Sequence, residues 1–449
     1  MTAPDQQAGA LLEAWRRLAA PASDDIAHLR SATLEGISVE PLYLPATASE
    51  PLAGRGARPW AIVEIIDQDR PEEAHEAAAA ALKDGVTGLA LRFAPHSSGH
   101  GLSPAALETI LDQLDLDGVT LRLEPHARSV EIGGGLAARM AASSDMAAAE
   151  ISFGLNPVAL AVSGDADIGD VFASAWRTLA EARPLALVAE VDGRPYHEAG
   201  GGDALELAAI LAETAFALRA LDASGIAPES ALDAIGASIS VDHDQFLSIA
   251  KLRALRLLFA RFREVVGALP KTLRIHAETS RRMLTARDPH NNLVRATIAA
   301  FAAGVGGADS IAVAPYDAAH GSASNAARRL ARNTQHLLLD EAHISCVADP
   351  ACGSGAVELL TASLCERAWA LFQAIETDGG VLVSLADGVL ARELAAGRAT
   401  LSDAATSGRL PILGVNVYAA GAARSPTPDA EPTNHPALAP MRLESAFAS

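Results

Sequence analysis

The segment SISVDHDQFLSIAKLRALRLLFARFREVVGALPKTLRIHAE, residues 238–278, contains in one run the three pieces that decide the fold. Residues 238–243 form a short apolar run typical of a buried strand. Residues 246–267 carry Leu, Ile, Phe and Ala at helical spacing and end at a glycine, and residues 272–278 return to a strand pattern. A strand, a long helix and a second strand form the repeating unit of parallel α/β proteins, so the segment predicts that fold class.

The same alternation of short apolar strands and longer Ala-rich or Leu-rich helices extends in both directions from this segment. Eight strand–helix units match the size and count of a (β/α)8 barrel, the TIM barrel. An open doubly wound sheet is the alternative, but no G-x-G-x-x-G motif follows the first strand. We therefore predict a TIM barrel. Its strand candidates are residues 61–66, 87–93, 119–125, 149–155, 185–191, 238–243, 272–278 and 310–315.

The parts of the chain outside this rhythm differ from it in composition. Two helical patterns follow the eighth unit, at residues 355–376 and 384–396, and the run SPTPDAEPTNHPALAP (425–440) is rich in proline, as linkers often are. The predicted division is an N-terminal arm and extended segment, the barrel, a C-terminal helical extension, and a Pro-rich linker with a short tail. These parts comprise residues 1–59, 60–345, 346–424 and 425–449, respectively.

The composition excludes several classes of partner. The 449 residues include 35 basic and 55 acidic side chains, which gives a net charge of −20, and a surface this acidic disfavours nucleic acids and anionic membranes. No apolar run approaches the roughly 20 residues of a membrane span. Three cysteines are too few for a disulfide framework, and the first residues lack a signal-peptide pattern. We therefore expect a cytoplasmic protein.

Several side chains with catalytic potential follow the predicted strands, where TIM-barrel enzymes place their active sites. Such a group of histidines and carboxylates can bind a metal or transfer protons, although solvated loop residues are the more common interpretation. The metal motifs H-E-x-x-H and C-x-x-C are absent from the sequence. The candidates are His96, His100, Tyr196, His197, Glu198, His243, Asp244, His276, Glu278, Thr279 and Ser280.

The run RIHAETSRRMLTARDPHNNLVRATIAAFAAGVGG, residues 274–307, resembles the methylmalonyl-CoA mutase family. The family reads approximately R-x-H-x-Q-T-S-G-x-x-L-T-x-x-D-x-x-N-N there, and the blocks EGISVEPLY, ARPW, IAKLRALRLLFARF, ARNTQHLL and DPACGSGAVELLT are similar to the same family. The resemblance covers roughly residues 33–424. It implies a (β/α)8 barrel through whose centre the pantetheine arm of an acyl-CoA passes.

Three positions depart from the pattern of catalytic members of the family. Ile65 stands where R-P-W-T-I-R-Q-Y has the tyrosine that lies against the reacting acyl group. Leu155 replaces the glutamine of T-I-Q-N-D, and Glu278 replaces that of H-x-Q-T-S. Because radical rearrangement needs polar groups that hold the substrate in a sealed pocket, these losses imply a barrel that does not catalyse the reaction.

Other positions of the family's pocket are retained. Tyr196, Asn156 and His276 match it, and the run Tyr196-His197-Glu198 is two residues shorter than the family's Y-H-M-Q-E, so that His197 falls where the family has glutamine. The resemblance implies that these four residues are remnants of the pocket. Arg253 and Arg256 are candidates for substrate binding. The alternative is that they pack among the helices around the barrel.

The resemblance also implies a role for the chain. No D-x-H-x-x-G motif, the family's cobalt-ligating signature, follows the barrel, so we expect no cobalamin-binding domain, no metal site and no bound cofactor here. The pattern is similar to the smaller, non-catalytic subunits of the family, which pair with a larger catalytic subunit that holds adenosylcobalamin. A further candidate ligand is acyl-CoA in a vestigial pocket. The alternatives are the catalytic barrel of a split acyl-CoA mutase, whose cobalamin domain is on another chain, and a stabilising pseudoenzyme.

Overall fold

The computed structural model describes residues 3–19, 26–46, 49–94, 100–142, 146, 148–161, 167–419 and 435–447. Eight parallel strands close into a barrel in chain order, with the last strand beside the first, which confirms the predicted (β/α)8 fold. A separate antiparallel pair, β1 (Ser31–Ala32) and β2 (Ser38–Val39), precedes it. The barrel strands are β3 (Ala61–Ile66), β4 (Gly88–Leu91), β5 (Thr120–Leu123), β6 (Glu150–Leu155), β7 (Leu187–Asp192), β8 (Ile235–Val241), β9 (Ile275–Thr279) and β10 (Ser310–Ala312).

Helices surround the barrel and continue after it. Those up to the last strand are α1 (Ala3–Ala19), α2 (Pro71–Lys83), α3 (Leu107–Leu111), α4 (Ser129–Ala142), α5 (Pro157–Ala161), α6 (Ile168–Ala182), α7 (Arg194–Glu198), α8 (Asp203–Ala223), α9 (Pro228–Ala231), α10 (Gln245–Val266) and α11 (Asn291–Val305). Those after it are α12 (Asn325–His336), α13 (Gly355–Thr377), α14 (Val381–Asp387) and α15 (Val389–Thr406).

The prediction of one continuous helix over residues 384–396 was wrong, and a glycine is the local cause. The pattern at 384–396 is divided between α14 and α15, because Gly388 is extended (φ −107°, ψ −155°) and interrupts the helix. Helix α4 includes three consecutive glycines, although glycine disfavours helices. One of them, Gly133, packs so closely on Leu179 that a β-carbon there would lie 3.2 Å from its methyl groups.

Helix α8 shows why the sequence contains so much alanine and leucine. It is buried on nearly every side. The barrel lies beneath it, and α10 and α13 pack against it. Helix α13 belongs to the predicted C-terminal extension. This extension therefore covers the barrel helices α8 and α10 from outside. Small side chains allow these helices to approach one another closely, which favours dense packing.

The last described segment, residues 435–447, packs on the carboxyl-terminal face of the barrel. The amide of Met441 donates to the carbonyl of Glu198 (2.8 Å), and Leu438 joins an apolar cluster with Tyr196. The Glu444 carboxylate accepts the amide of Ala286 at 2.7 Å. The tail therefore contacts the loops that follow β7 and β9. In the part of the chain that the structure describes, no helix is both long and apolar enough to cross a membrane.

Candidate functional site

A cavity of about 460 Å³ opens where the barrel strands end at their carboxyl termini, the usual position of active sites in this fold. Among the residues singled out in the sequence, Ile65, Asn156, Tyr196 and Glu278 line it. Leu438 from the tail also borders it. The cavity therefore brings two of the predicted pocket remnants together with two of the predicted departures. Of the other strand-end candidates, His100 and Glu198 line the cavity too, and His96 lies outside the described residues.

The mouth of the barrel is crossed by an ion-pair cluster centred on Glu278. Its Oε2 lies 2.8 Å from Nη2 of Arg92 and 2.7 Å from Nη1 of Arg194, and its Oε1 lies 3.6 Å from Nε of Arg281. Burial raises the pKa of Glu278, but these three arginines outweigh burial and bring it down to about 2. The carboxylate is thus ionised at every physiological pH.

Two further carboxylates complete this cluster. Oε2 of Glu124, at the end of β5, lies 2.7 Å from Nη1 of Arg194 and 3.4 Å from Arg92. Asp192 binds Arg194 through both of its oxygens, at 2.8 and 2.9 Å. Burial raises the pKa of Glu124, yet Arg194 and Arg92 lower it overall to about 2. The arginines at the mouth are therefore already paired within the protein.

A second polar layer contains Arg122 of β5 and Glu190 of β7, which form an ion pair deep in the barrel. Ser152 donates to Oε2 of Glu190 at 2.9 Å, and Ser238 donates to Oε1. With both carboxylate oxygens bonded and both ionic side chains about 95% buried or more, this layer fills the barrel interior. Such paired buried charges are structural, since a missing partner would leave a buried charge uncompensated.

Tyr196 and Asn156 share one partner that sequence reasoning missed. The Tyr196 hydroxyl donates to Oε1 of Glu213 (2.9 Å), and Nδ2 of Asn156 donates to Oε2 (2.8 Å). The amide of Asp192 also donates to Oε2 at 2.9 Å. Burial raises the pKa of Glu213 to about 8 despite these bonds. The signal in the sequence was a glutamate within the apolar run of α8, LELAAILAETAFAL.

The bulge in β6 sets the direction of Leu155 and Asn156. Between β6 and β7 the register passes from Ser152–Leu187 to Leu155–Ala189, so that β6 contains one extra residue. Gly154 provides it with a φ of +62°, where a β-carbon would collide with the carbonyl of Leu123. Asn156 then reaches the cavity wall, whereas Leu155 does not line the cavity and packs in the core.

Two of the predicted histidines, His197 and His276, lie outside the cavity lining. His276 bonds Ser310 through Nδ1 (2.8 Å), and among the described residues its Nε2 has no partner. His197 is fully buried and bonds Ser280 through Nε2 at 2.9 Å. Burial, followed by nearby cationic side chains, lowers the pKa of both histidines well below the usual value, so that they are neutral. Their positions are those of core histidines.

One group of described side chains has the spacing of a metal site. Single ligand atoms of His197, Asp203 and Glu206 lie within 4.8 Å of one another. The ammonium of Lys251 already occupies this position, 2.8 Å from Asp203 and 2.7 Å from Glu206. The Lys251 side chain therefore provides the positive charge that the carboxylates require.

The two arginines that were candidates for substrate binding, Arg253 and Arg256, bind groups of the protein itself. Arg253 pairs with Asp349 and, at 2.7 Å, with Glu358, so that it joins α10 to α13 and to the loop before it. Arg256 donates to the carbonyl of Leu273 at 2.8 Å. Neither arginine lines the barrel cavity. This placement favours packing among the helices over substrate binding.

Comparison with known proteins shows the family to which this barrel belongs. A family model described as methylmalonyl-CoA mutase matches residues 167–443. The chain belongs to the methylmalonyl-CoA mutase family. Over 424 residues, 87% of this chain, it is 37% identical to the probable methylmalonyl-CoA mutase small subunit of Mycobacterium tuberculosis. It is 36% identical over 413 residues (86% of this chain) to the small subunit of Streptomyces virginiae.

Propionibacterium freudenreichii subsp. shermanii has similar proteins of both kinds. Its methylmalonyl-CoA mutase small subunit is 33% identical over 417 residues, 88% of this chain, and its large subunit is 34% identical over 231 residues, 51% of this chain. The chain spans 64–66% of the length of the three small-subunit relatives and 32% of the large subunit. The similarity to small subunits thus extends over most of the chain, and that to the large subunit over half.

Proposed function

We propose that this chain is the small subunit of a heterodimeric methylmalonyl-CoA mutase and that it acts in the cytoplasm. Its partner is a larger, homologous catalytic subunit that holds adenosylcobalamin and interconverts (R)-methylmalonyl-CoA and succinyl-CoA. The small-subunit relatives, which align over 86–88% of this chain, support this assignment.

The observation that carries the non-catalytic role is the Glu278 cluster. Substrate polar groups need free donors, but the donors of Arg92 and Arg194 that face the barrel mouth bind Glu278, Glu124 and Asp192. Ile65 contributes an apolar surface to the same cavity. A pocket whose charges are paired internally lacks the preorganised groups that would hold a reacting thioester and its carboxylate.

The described residues do not fit a cobalt ligand. His290, in the D-x-H string Asp288-Pro289-His290, is exposed at the start of α11, and its ring stacks on Tyr316 at a centroid distance of 5.3 Å. A glycine at the family's spacing does not follow it. We therefore assign adenosylcobalamin to the partner and derive no chemical step in this barrel.

The test is reconstitution. This chain and a full-length catalytic partner are purified separately, and mutase activity is measured with adenosylcobalamin for each alone and for the mixture. We expect no turnover by this chain alone and a stoichiometric complex with the partner. Turnover by this chain with a free-standing cobalamin-domain protein would overturn the proposal.

That second outcome would support a catalytic barrel of a split mutase. The observation in its favour is that Tyr196 and Asn156 still line a cavity of about 460 Å³. In a third outcome, the partner is fully active and stable alone. This chain would then be a pseudoenzyme that the partner does not need.

A further inference from the structure

Arg92 and Arg194 approach one oxygen from different sides of the barrel mouth. Arg92 follows β4 and Arg194 begins α7, after β7, yet both place a guanidinium nitrogen within 2.8 Å of Oε2 of Glu278 on β9. Arg281 adds a third guanidinium at 3.6 Å from Oε1. Convergent guanidinium groups of this kind are how proteins bind carboxylates.

The charges in this cluster are balanced. The three arginines face three carboxylates, those of Glu278, Glu124 and Asp192. Asp192 holds Arg194 through Nε and Nη2, which leaves Nη1 for Glu278 and Glu124. An additional carboxylate beside Arg92 and Arg194 would meet guanidinium groups that already pair with carboxylates, and Glu278 and Glu124 would repel it at short range.

We propose that Glu278 is an internal ligand that occupies an arginine-built carboxylate site, and that it makes the cavity of the native protein selective against small carboxylic acids. Removal of the Glu278 side chain leaves one surplus positive charge and a space of carboxylate size beside Arg92 and Arg194. A small carboxylate supplied from solution then takes the place of the side chain. The inference rests on the geometry of the cavity and does not depend on the proposed function.

Glu278→Ala and Glu278→Gln separate the effect of charge from that of space. Both variants remove the negative charge, but only alanine also empties the position. The probe is malonate, with malonamide as the uncharged control of similar shape and sodium chloride as the control for ionic strength. Binding is measured by calorimetry, and the midpoint of thermal unfolding is followed as ligand is added, since a ligand that binds only the native state raises it.

We expect malonate to bind Glu278→Ala at least tenfold more tightly than it binds the native protein and to raise the unfolding midpoint of this variant. Glu278→Gln should bind malonate with intermediate affinity. Malonamide should leave both midpoints unchanged. In Glu278→Ala combined with Arg92→Gln the gain should disappear, because one wall of the site is then absent.

Equal binding of malonate by the native protein and Glu278→Ala would overturn the proposal, as would a folded variant without any gain. If Glu278→Ala folds only when malonate is present, that rescue supports the proposal. If it does not fold at all, Glu278→Gln decides, because loss of the charge alone must already increase affinity. None of these results alters the reconstitution experiment, so the two proposals fail separately.

Discussion

The hydroxyl of Tyr196 lies 2.9 Å from Oε1 of Glu213 and donates its hydrogen bond to that carboxyl group. Both residues are buried, and both line the barrel cavity. The tyrosine that the family resemblance selects as a pocket residue therefore has a structural partner of its own, on helix α8 and outside the motifs that carry the resemblance. This hydrogen bond gives Tyr196 a structural role that does not require a catalytic one.

Tyr196→Phe tests that distinction. Loss of the hydroxyl removes one of the donors to Glu213, so we expect the free energy of unfolding in urea to fall by about 1–2 kcal/mol. Mutase activity of the complex with the catalytic partner should stay within twofold of the native value. A tenfold loss of activity in a stable complex would contradict the non-catalytic role.

The pH dependence of stability should depend on Glu213. Its pKa rises from the ordinary 4.5 to about 8 in the folded protein, so the folded state holds a proton that the unfolded state releases between these values. Stability therefore falls as the pH rises from about 4.5 to 8, by a few kcal/mol and on the order of 5 at most. Chemical denaturation at several pH values measures this slope. Glu213→Gln should flatten it, and an unchanged slope would refute the assignment.

Breaking the Arg122–Glu190 pair should destabilise the protein strongly, whereas replacing both residues by apolar ones should destabilise it much less. Glu190→Gln leaves the Arg122 charge buried inside the barrel, and we expect a loss of about 3–5 kcal/mol. Arg122→Met combined with Glu190→Leu removes both charges and should recover most of that loss. Urea unfolding of the three proteins measures both effects. A double variant as unstable as the single one would show that the pair contributes more than charge compensation.

Lys251 should be essential for folding stability, in contrast to a surface lysine. Burial lowers its pKa, but Asp203 and Glu206 outweigh burial and keep it raised, so Lys251→Met leaves two carboxylates without their cation. We expect a cost of about 3–5 kcal/mol. The control is Lys271→Met, whose ion pair with Asp233 is about half exposed and should contribute less than 1 kcal/mol. Similar costs for the two variants would contradict this account.

Two adjacent glycines of α4 should respond differently to alanine. A β-carbon at Gly134 has no atom within 4 Å, so Gly134→Ala should stabilise the protein by about 1 kcal/mol through helix propensity. At Gly133 the β-carbon would lie 3.2 Å from both methyl groups of Leu179, which must move, and the same gain should be lost or reversed. Thermal unfolding midpoints compare the pair. Equal gains would show that α4 and α6 separate easily.

The sequence predicted the strands because their apolar runs repeat eight times, and that periodicity is local. Helices were less predictable, since α4 includes three glycines although glycine disfavours helices, and Gly388 interrupts a helical pattern through its backbone conformation. The cavity residues Ile65, Asn156, Tyr196 and Glu278 were all selected from the sequence. His197 and His276 were selected by the same comparison, but their burial outside the cavity depends on packing.

The amino-acid sequence by itself determined the barrel, the family resemblance and the identity of the substituted pocket positions, because strand periodicity and motif spacing are properties of the linear chain. Only the tertiary structure decided what those positions do. Arg92, Arg194 and Glu278 are separated by up to 186 residues, and they meet because parallel strands bring their carboxyl ends to one face of the barrel. Whether a charge binds a ligand or a neighbouring side chain depends on that convergence.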